Sequence, residues 1–469
     1  MEQFFIERVK DNFSFTPTDE QAIALQKIGK FLFSRNSDSI FLLQGYAGTG
    51  KSSLIGTLVK TMTQFEQKTV LLAPTGRAAK VFATYANHPA FTIHKKIYRQ
   101  KRFSNEPSGF VPTDNLHKDT LFIVDEASMI SNEGLDSFMF GSGRLLDDLI
   151  HYVYAGENCR LLLIGDSAQL PPVMQEFSPA LQPDVLQGYG LEVTESTLTR
   201  IVRQAESSGI LYNATLIRNA LSSGETGDYP KLKLDGFSDI KKISGEDLIE
   251  AIDTCYNRDG IEQTMIISRS NKRSNIYNQG VRNRILYREE ELSGGDLLLV
   301  TKNNYFWTEN VDNIDFLANG ELVEVLRVRK TQELYGFRFC DVLVRHPDYA
   351  IELEIKILLN TLNNDNAGLS REESDNLFYN ILEDYSDIHT KAGKMQKMKV
   401  DPYYNSVHVK YGYAVTCHKA QGGEWMNVFL DLGYISQEHL GINFYRWLYT
   451  AITRSTSKLY LVNLPDEFL

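Results

Sequence analysis

The sequence predicts an α/β protein: two domains built on parallel sheets, a small β-barrel inserted into the second, and a β-hairpin projecting from the first. Three observations carry this. Short apolar runs alternate with helix-like stretches from residue 18 to about 206, and a second such pattern begins near Met265 and returns after residue 405. Between them, from about 292 to 404, apolar and polar residues alternate around Asn-Gly and Gly-Asp turn signals, the pattern of short antiparallel strands. With 469 residues and 42% hydrophobic content, the chain has material for about three cores.

Taken in order, Thr18 can cap a helix whose Ala22, Ile23, Leu25, Ile28, Phe31 and Leu32 recur at helical spacing. Ile40 to Leu43, Val70 to Ala73, Leu121 to Val124 and Leu161 to Ile164 are continuous apolar runs, as strands covered on both faces require. Met265 to Ile267, Val428 to Leu430 and Leu459 to Val462 do the same in the second domain. The boundaries expected are 1–205 for the first domain, with a hairpin at about 95–118, then 206–291 plus 405–469 for the second, and 292–404 for the insertion. Within the insertion, about 360–395 is polar and acidic. It reads as a solvated excursion with an exposed helix from Ser370 to Ile388 and no aliphatic core of its own.

Composition narrows the function. Sixty acidic against 49 basic residues leave a net charge of −11, so a generic nucleic-acid coat is excluded and phosphate binding has to be local. The first residues lack a leader-like apolar stretch and no apolar run approaches about 18 residues, which predicts a cytoplasmic chain away from membranes. Cys159, Cys255, Cys340 and Cys417 are widely separated, an arrangement of reduced thiols rather than of disulfides or a zinc knuckle.

Gly45-Tyr46-Ala47-Gly48-Thr49-Gly50-Lys51-Ser52 matches G-x-x-x-x-G-K-[ST] between a buried strand and a helical stripe. Its backbone N–H groups and the helix N-terminus converge on one point, Lys51 supplies a point charge to the β- and γ-phosphates, and the Ser52 hydroxyl can ligate Mg²⁺. A second apolar strand delivers Asp125, suited to Mg²⁺, and Glu126, suited to orienting a hydrolytic water. A third ends at Gly165-Asp166, after which Gln169 offers a neutral amide to sense a γ-phosphate. Arg203 and Arg454 supply guanidinium groups for the charge of a phosphoryl-transfer transition state, with a surface salt bridge as the alternative for both and for Arg203 in particular.

Residues 76 to 118 hold eight basic residues against Glu106 and Asp114, interleaved with Phe91, His94, Tyr98, Phe103 and Phe110. Charge along a backbone and flat rings for stacking are what a single strand of nucleic acid needs. In the second domain Thr416, His418 and Lys419 follow a strand-like run within reach of phosphates, although His418 by itself reads better as a satisfied core histidine.

The order of these motifs resembles the superfamily 1B helicases, the RecD-like and Dda-type branch related to the Pif family, over nearly the whole chain. Thr18-Asp19-Glu20-Gln21 is similar to the Q motif, Gly45 to Ser52 to motif I, Ala73 to Lys80 to motif Ia, and Phe91-Thr92-Ile93-His94 to Ib. Asp125-Glu126, Gly165 to Pro172, Arg203-Gln204, Tyr413 to Glu424 and Tyr449 to Arg454 are similar to motifs II to VI. Ser52-Ser53 stands where many members have Thr-Thr, and Cys417 where a β-branched residue is common.

The resemblance implies two RecA-like P-loop domains, an SH3-like barrel as domain 2B, a tower-like excursion after it, and a strand-separating pin as domain 1B. It implies ATP and Mg²⁺ as cofactors and 5′-to-3′ movement along single-stranded DNA with duplex unwinding, by a monomer working at single-strand/duplex junctions in replication or repair. Gln21 would contact the base, Gly45, Gly48, Thr49, Gly50, Lys51, Ser52 and Ser53 the phosphates, and Glu424 the ribose, with Gly422 also at the nucleotide. Pro74, Thr75, Arg77, Thr92, His94, Thr416, His418 and Lys419 would line the DNA, with Phe103 or Phe110 capping the last base pair. An ATP-gated clamp or protein-displacing remodeller, and an RNA-directed enzyme of the same superfamily, are the competing readings.

Overall fold

The structure is a computed structural model, and it describes residues 1–100, 110–134, 141–202, 207–309, 311, 314, 316–347, 350–366 and 368–469. In the first lobe six parallel strands lie in the order Ala90–Thr92, Lys68–Ala73, Thr120–Val124, Arg160–Gly165, Ser39–Gly45, Glu192–Leu198. Side chains alternate across this sheet: Ile40 and Leu42 enter one core, Phe41 and Leu43 the other. Burying each of these contributes about 1.5–3 kcal/mol, which is why the central strands read as unbroken apolar runs.

Helix Asp19–Phe33 starts at a capping box in which the Thr18 hydroxyl accepts from the Gln21 N–H and the Gln21 side chain accepts from the Thr18 N–H. Helix Glu2–Asp11, absent from the sequence reading, packs on it through Phe5, Ile6 and Val9, with Ile6 against Gly29. The second lobe has five parallel strands in the order Ala414–Thr416, Thr264–Ser268, Trp425–Asp431, Ser455–Val462, Ile240–Ile243.

Strands Leu297–Val300, Leu322–Leu334, Phe337–His346, Ile351–Leu358 and Val407–Tyr411 close a barrel. Its last strand runs beyond residue 404, the limit read from the sequence, and pairs in parallel with Ile351–Leu358. That parallel overlap is short, Ile357 and Leu358 beside Val407 and His408, and the chain between the two strands forms helices Arg371–Glu383 and Lys391–Lys399. These helices correct the expectation of a coreless excursion. Leu377, Ile381 and Met398 are buried with Phe337, Phe339 and Leu358 of the barrel. The helix expected from Ser370 to Ile388 spans Arg371–Glu383, capped by Ser370 with Glu373.

At the base of the hairpin, Tyr98–Gln100 pairs antiparallel with Phe110–Pro112. Phe103 lies outside the described residues. The four cysteines are free and buried. No helix among the described residues is long and apolar enough to cross a membrane.

Candidate active site

Strands Ser39–Gly45, Thr120–Val124 and Arg160–Gly165 end side by side, so the phosphate-type loop, Asp125-Glu126 and Asp166 meet at the carboxyl edge of one sheet. Gly48 and Gly50 take φ of +75° and +80°, a left-handed conformation that lets the loop curl back before helix Lys51–Gln64. A Cβ on Gly50 would sit 2.4 Å from the Gln21 amide nitrogen. The Lys51 ammonium donates to the carbonyls of Gly45 (2.6 Å) and Tyr46 (2.9 Å), spanning the mouth of its own loop. Thr49 is buried and its hydroxyl donates to Tyr46, whereas Ser52 and Ser53 are exposed to the cleft.

Asp125 accepts from the Glu126 N–H (2.8 Å) and from the Tyr85 hydroxyl (2.5 Å). Glu126 has φ +53°, an unusual conformation for a non-glycine residue that fits a strand ending at a site. Burial pushes its carboxyl up to about 7, against the opposing pull of Arg454. The second lobe closes the other side. Arg454 is buried, donates to the carbonyls of Thr450 (3.1 Å) and Gly423 (3.2 Å), and lies 3.8 Å from Glu126. Gln169 is buried with its side-chain oxygen unpaired among the described residues.

A cavity of about 770 Å³ joins these parts: Gly48, Gly50, Lys51, Ser52, Ser53, Asp125, Glu126 and Gln169 from one lobe face Gly422, Glu424 and Arg454 from the other. Gln21 also lines it, yet its amide is already committed. The nitrogen donates to Thr49 and Gly50 carbonyls (3.3 and 3.4 Å), and the oxygen serves the Thr18 cap. Arg203 lies outside the described residues; the Val202 N–H donates to the Gly48 carbonyl.

Along the expected DNA track, Thr75 and Thr92 use their hydroxyls to cap helices, accepting from Ala78 (3.2 Å) and Lys95 (3.1 Å). Pro74 is half-buried beside them. Arg77 lies 3.9 Å over the Trp425 ring and donates to the Glu424 carbonyl, bridging the lobes. Burial lowers the His94 imidazole to about 4, which leaves it neutral at pH 7. Lys95 and Lys96 instead flank the partly exposed Phe91 ring, each 6.0 Å from its centre.

Phe110 packs 4.2 Å from Tyr305, which in turn sits 4.7 Å from Phe316, so this ring braces the hairpin base against the insertion. Thr416 is half-buried and His418 exposed. The Lys419 ammonium is buried with no hydrogen-bond partner among the described residues. Burial and neighbouring Lys410 lower it to about 8. The sequence gives Tyr85 no role and quotes Tyr449 only within the motif VI-like segment; no spacing rule marks a tyrosine whose hydroxyl meets a distant carboxylate.

Fold and cleft define a P-loop protein of two RecA-like lobes. A AAA domain model matches residues 17–227 and a UvrD-like helicase C-terminal domain model residues 411–462. An uncharacterised protein of Methanocaldococcus jannaschii, MJ1519, is 24% identical over 90% of this chain and 36% of its own. The ATP-dependent RecD2 DNA helicase of Deinococcus radiodurans is 24% identical over 94% of this chain and 48% of its own. This chain thus spans about a third to a half of those two relatives. A crystal structure of Pif1 helicase from Bacteroides with ADP-AlF3 and ssDNA shares 14% identity, covering 97% of this chain and 95% of that one at a TM-score of 0.47. The two domain models fall one in each lobe, and the chain is similar to the RecD2 helicase over most of its own length.

Proposed function

We propose that the chain is an ATP-dependent DNA helicase that moves 5′ to 3′ on single-stranded DNA and separates duplex as its two lobes close and reopen. The observation that carries this reading is the single cavity in which Lys51, Asp125 and Glu126 of one lobe face Arg454 of the other. A triphosphate there is gripped from both sides, so its cleavage alters the contact between lobes. Residues 1–205 act as the first motor domain, 206–291 with 405–469 as the second, and 292–404 as the inserted domain.

The donor set suits Mg²⁺. Among the described residues no group of three or more His, Cys, Asp or Glu could hold a metal unaided, so the ion would take the Ser52 hydroxyl, the Asp125 carboxylate and phosphate oxygens. It would supply charge neutralisation between the β- and γ-phosphates. Glu126, once ionised, orients the attacking water; Lys51 and Arg454 face the phosphate charge. DNA is held where Phe91 with Lys95 and Lys96 offers a cationic stacking surface and the unpaired Lys419 ammonium awaits a phosphate.

The test is an unwinding assay on duplexes bearing a 5′ or a 3′ single-stranded tail, with and without ATP-Mg²⁺. Opening of the 5′-tailed duplex alone is expected. Opening of only the 3′-tailed one refutes the polarity, and hydrolysis without strand separation on either favours a clamp or remodeller.

A further inference from the structure

The buried hydroxyl of Tyr449 is the meeting point of three segments. It donates to the Asp166 carboxylate (2.6 Å) and accepts from the N–H of Ala47 (2.9 Å), the third residue of the phosphate-binding loop. Tyr449 belongs to the second lobe, on helix Ile442–Ile452, while Ala47 and Asp166 follow adjacent strands of the first, paired as Gln44 with Gly165. Both Tyr449 and Asp166 are about 1% exposed. The phenol uses its one proton on the carboxylate and a lone pair on the loop, which satisfies two groups whose burial would otherwise be costly.

The next residue continues the junction. The Leu170 N–H donates to the Thr450 hydroxyl (2.9 Å), and the Gln421 amide donates to the Leu170 carbonyl (2.8 Å). The Thr450 carbonyl is also one of the two that hold the Arg454 guanidinium. One helix therefore contacts the loop at Tyr449, the segment Asp166 to Leu170 at Tyr449 and Thr450, and the catalytic arginine at Thr450.

We propose that Tyr449 is a cross-lobe positioning residue: its hydroxyl ties the phosphate loop at Ala47 and the carboxylate of Asp166 to the helix that presents Arg454, so that a change at the γ-phosphate end of the cleft moves that arginine. The inference rests on the nucleotide-hydrolysis reading of the cleft. The Asp166 side chain is held on one oxygen by the Ala168 N–H (2.9 Å) and on the other by the Tyr449 hydroxyl, so a shift of that strand end is passed to helix Ile442–Ile452.

The test uses the full chain, measuring DNA-stimulated ATP turnover, nucleotide affinity by titration of a fluorescent ATP analogue, and thermal melting. Tyr449→Phe removes only the hydroxyl. It should lower kcat about tenfold, the size of one buried hydrogen bond, with analogue affinity changed less than about threefold. Asp166→Ala should lower kcat similarly, and the double variant should be no worse than the poorer single one. Asp166→Asn, which keeps an acceptor for the phenol, should recover part of the loss. A Tyr449→Phe enzyme with kcat within about twofold of wild type, or effects that multiply in the double variant, overturns the inference alone. A wild-type chain without ATP turnover overturns the hydrolysis reading with it.

Discussion

The Arg454 guanidinium lies 3.8 Å from the Glu126 carboxylate, across the cleft between the two lobes. Each partner is also held by its own lobe, Arg454 by the carbonyls of Thr450 and Gly423 and Glu126 by its place behind strand Thr120–Val124. The pair therefore records the distance between lobes at the point where a γ-phosphate would enter.

Arg454→Ala should leave ATP binding within about threefold and cut kcat by about 10²-fold or more, the scale of losing one preorganised donor in a catalytic site. Steady-state ATPase rates beside a nucleotide titration check this. An unaltered kcat removes Arg454 from the catalytic set, and Lys51→Ala, expected to abolish turnover, serves as the comparison.

Turnover should depend on pH through Glu126. Its carboxyl is raised by burial to about 7, and only the ionised form orients water, so kcat should climb between about pH 6 and 8 and then level. Stability runs the other way. The folded value exceeds the ordinary 4.5, so the folded state binds the extra proton between the two values. The resulting stabilisation is complete below about 4.5 and is lost as pH rises through about 7. Glu126→Gln should abolish turnover yet melt higher than wild type above pH 7; a lower melting point there contradicts the burial argument.

Gln21→Ala separates two roles. The amide holds the loop carbonyls of Thr49 and Gly50 and completes the Thr18 cap. Its loss should cost about 1 kcal/mol of stability and weaken ATP and GTP by similar factors. Selective loss of ATP would show that the amide turns to read the base.

Asp296 joins the barrel to the second lobe. It is fully buried, with Arg282 at 3.0 Å, Arg288 at 2.7 Å and the Tyr413 hydroxyl at 2.9 Å. Asp296→Ala strands a buried guanidinium and should destabilise by about 3–5 kcal/mol in urea titration. A loss under about 1 kcal/mol would show that water relieves Arg282.

Some of the architecture was legible because its causes are local. Ile40 to Leu43 had to be apolar on both faces, and Thr18 with Gln21 spells a cap within four residues. The edge strands Glu192–Leu198 and Ile240–Ile243 escaped notice because one side of each stays wet and keeps polar residues. The two helices between the barrel's last two strands read as coreless for a related reason: Leu377, Ile381 and Met398 are too sparse to form a core until Phe337, Phe339 and Leu358 complete it.

By itself the sequence determined the phosphate loop and the carboxylates that follow the strands, since a glycine-rich turn, a lysine and a helix start within eight residues need no distant partner. Tertiary structure decided what those groups face. It gave Gln21 to the loop, made His94 neutral, packed Phe110 on Tyr305, and brought Tyr85 to Asp125 and Tyr449 to Asp166. Burial and pairing depend on which strand ends the sheets set side by side, and residues tens to hundreds of positions apart carry no mark of that meeting in their own neighbourhoods.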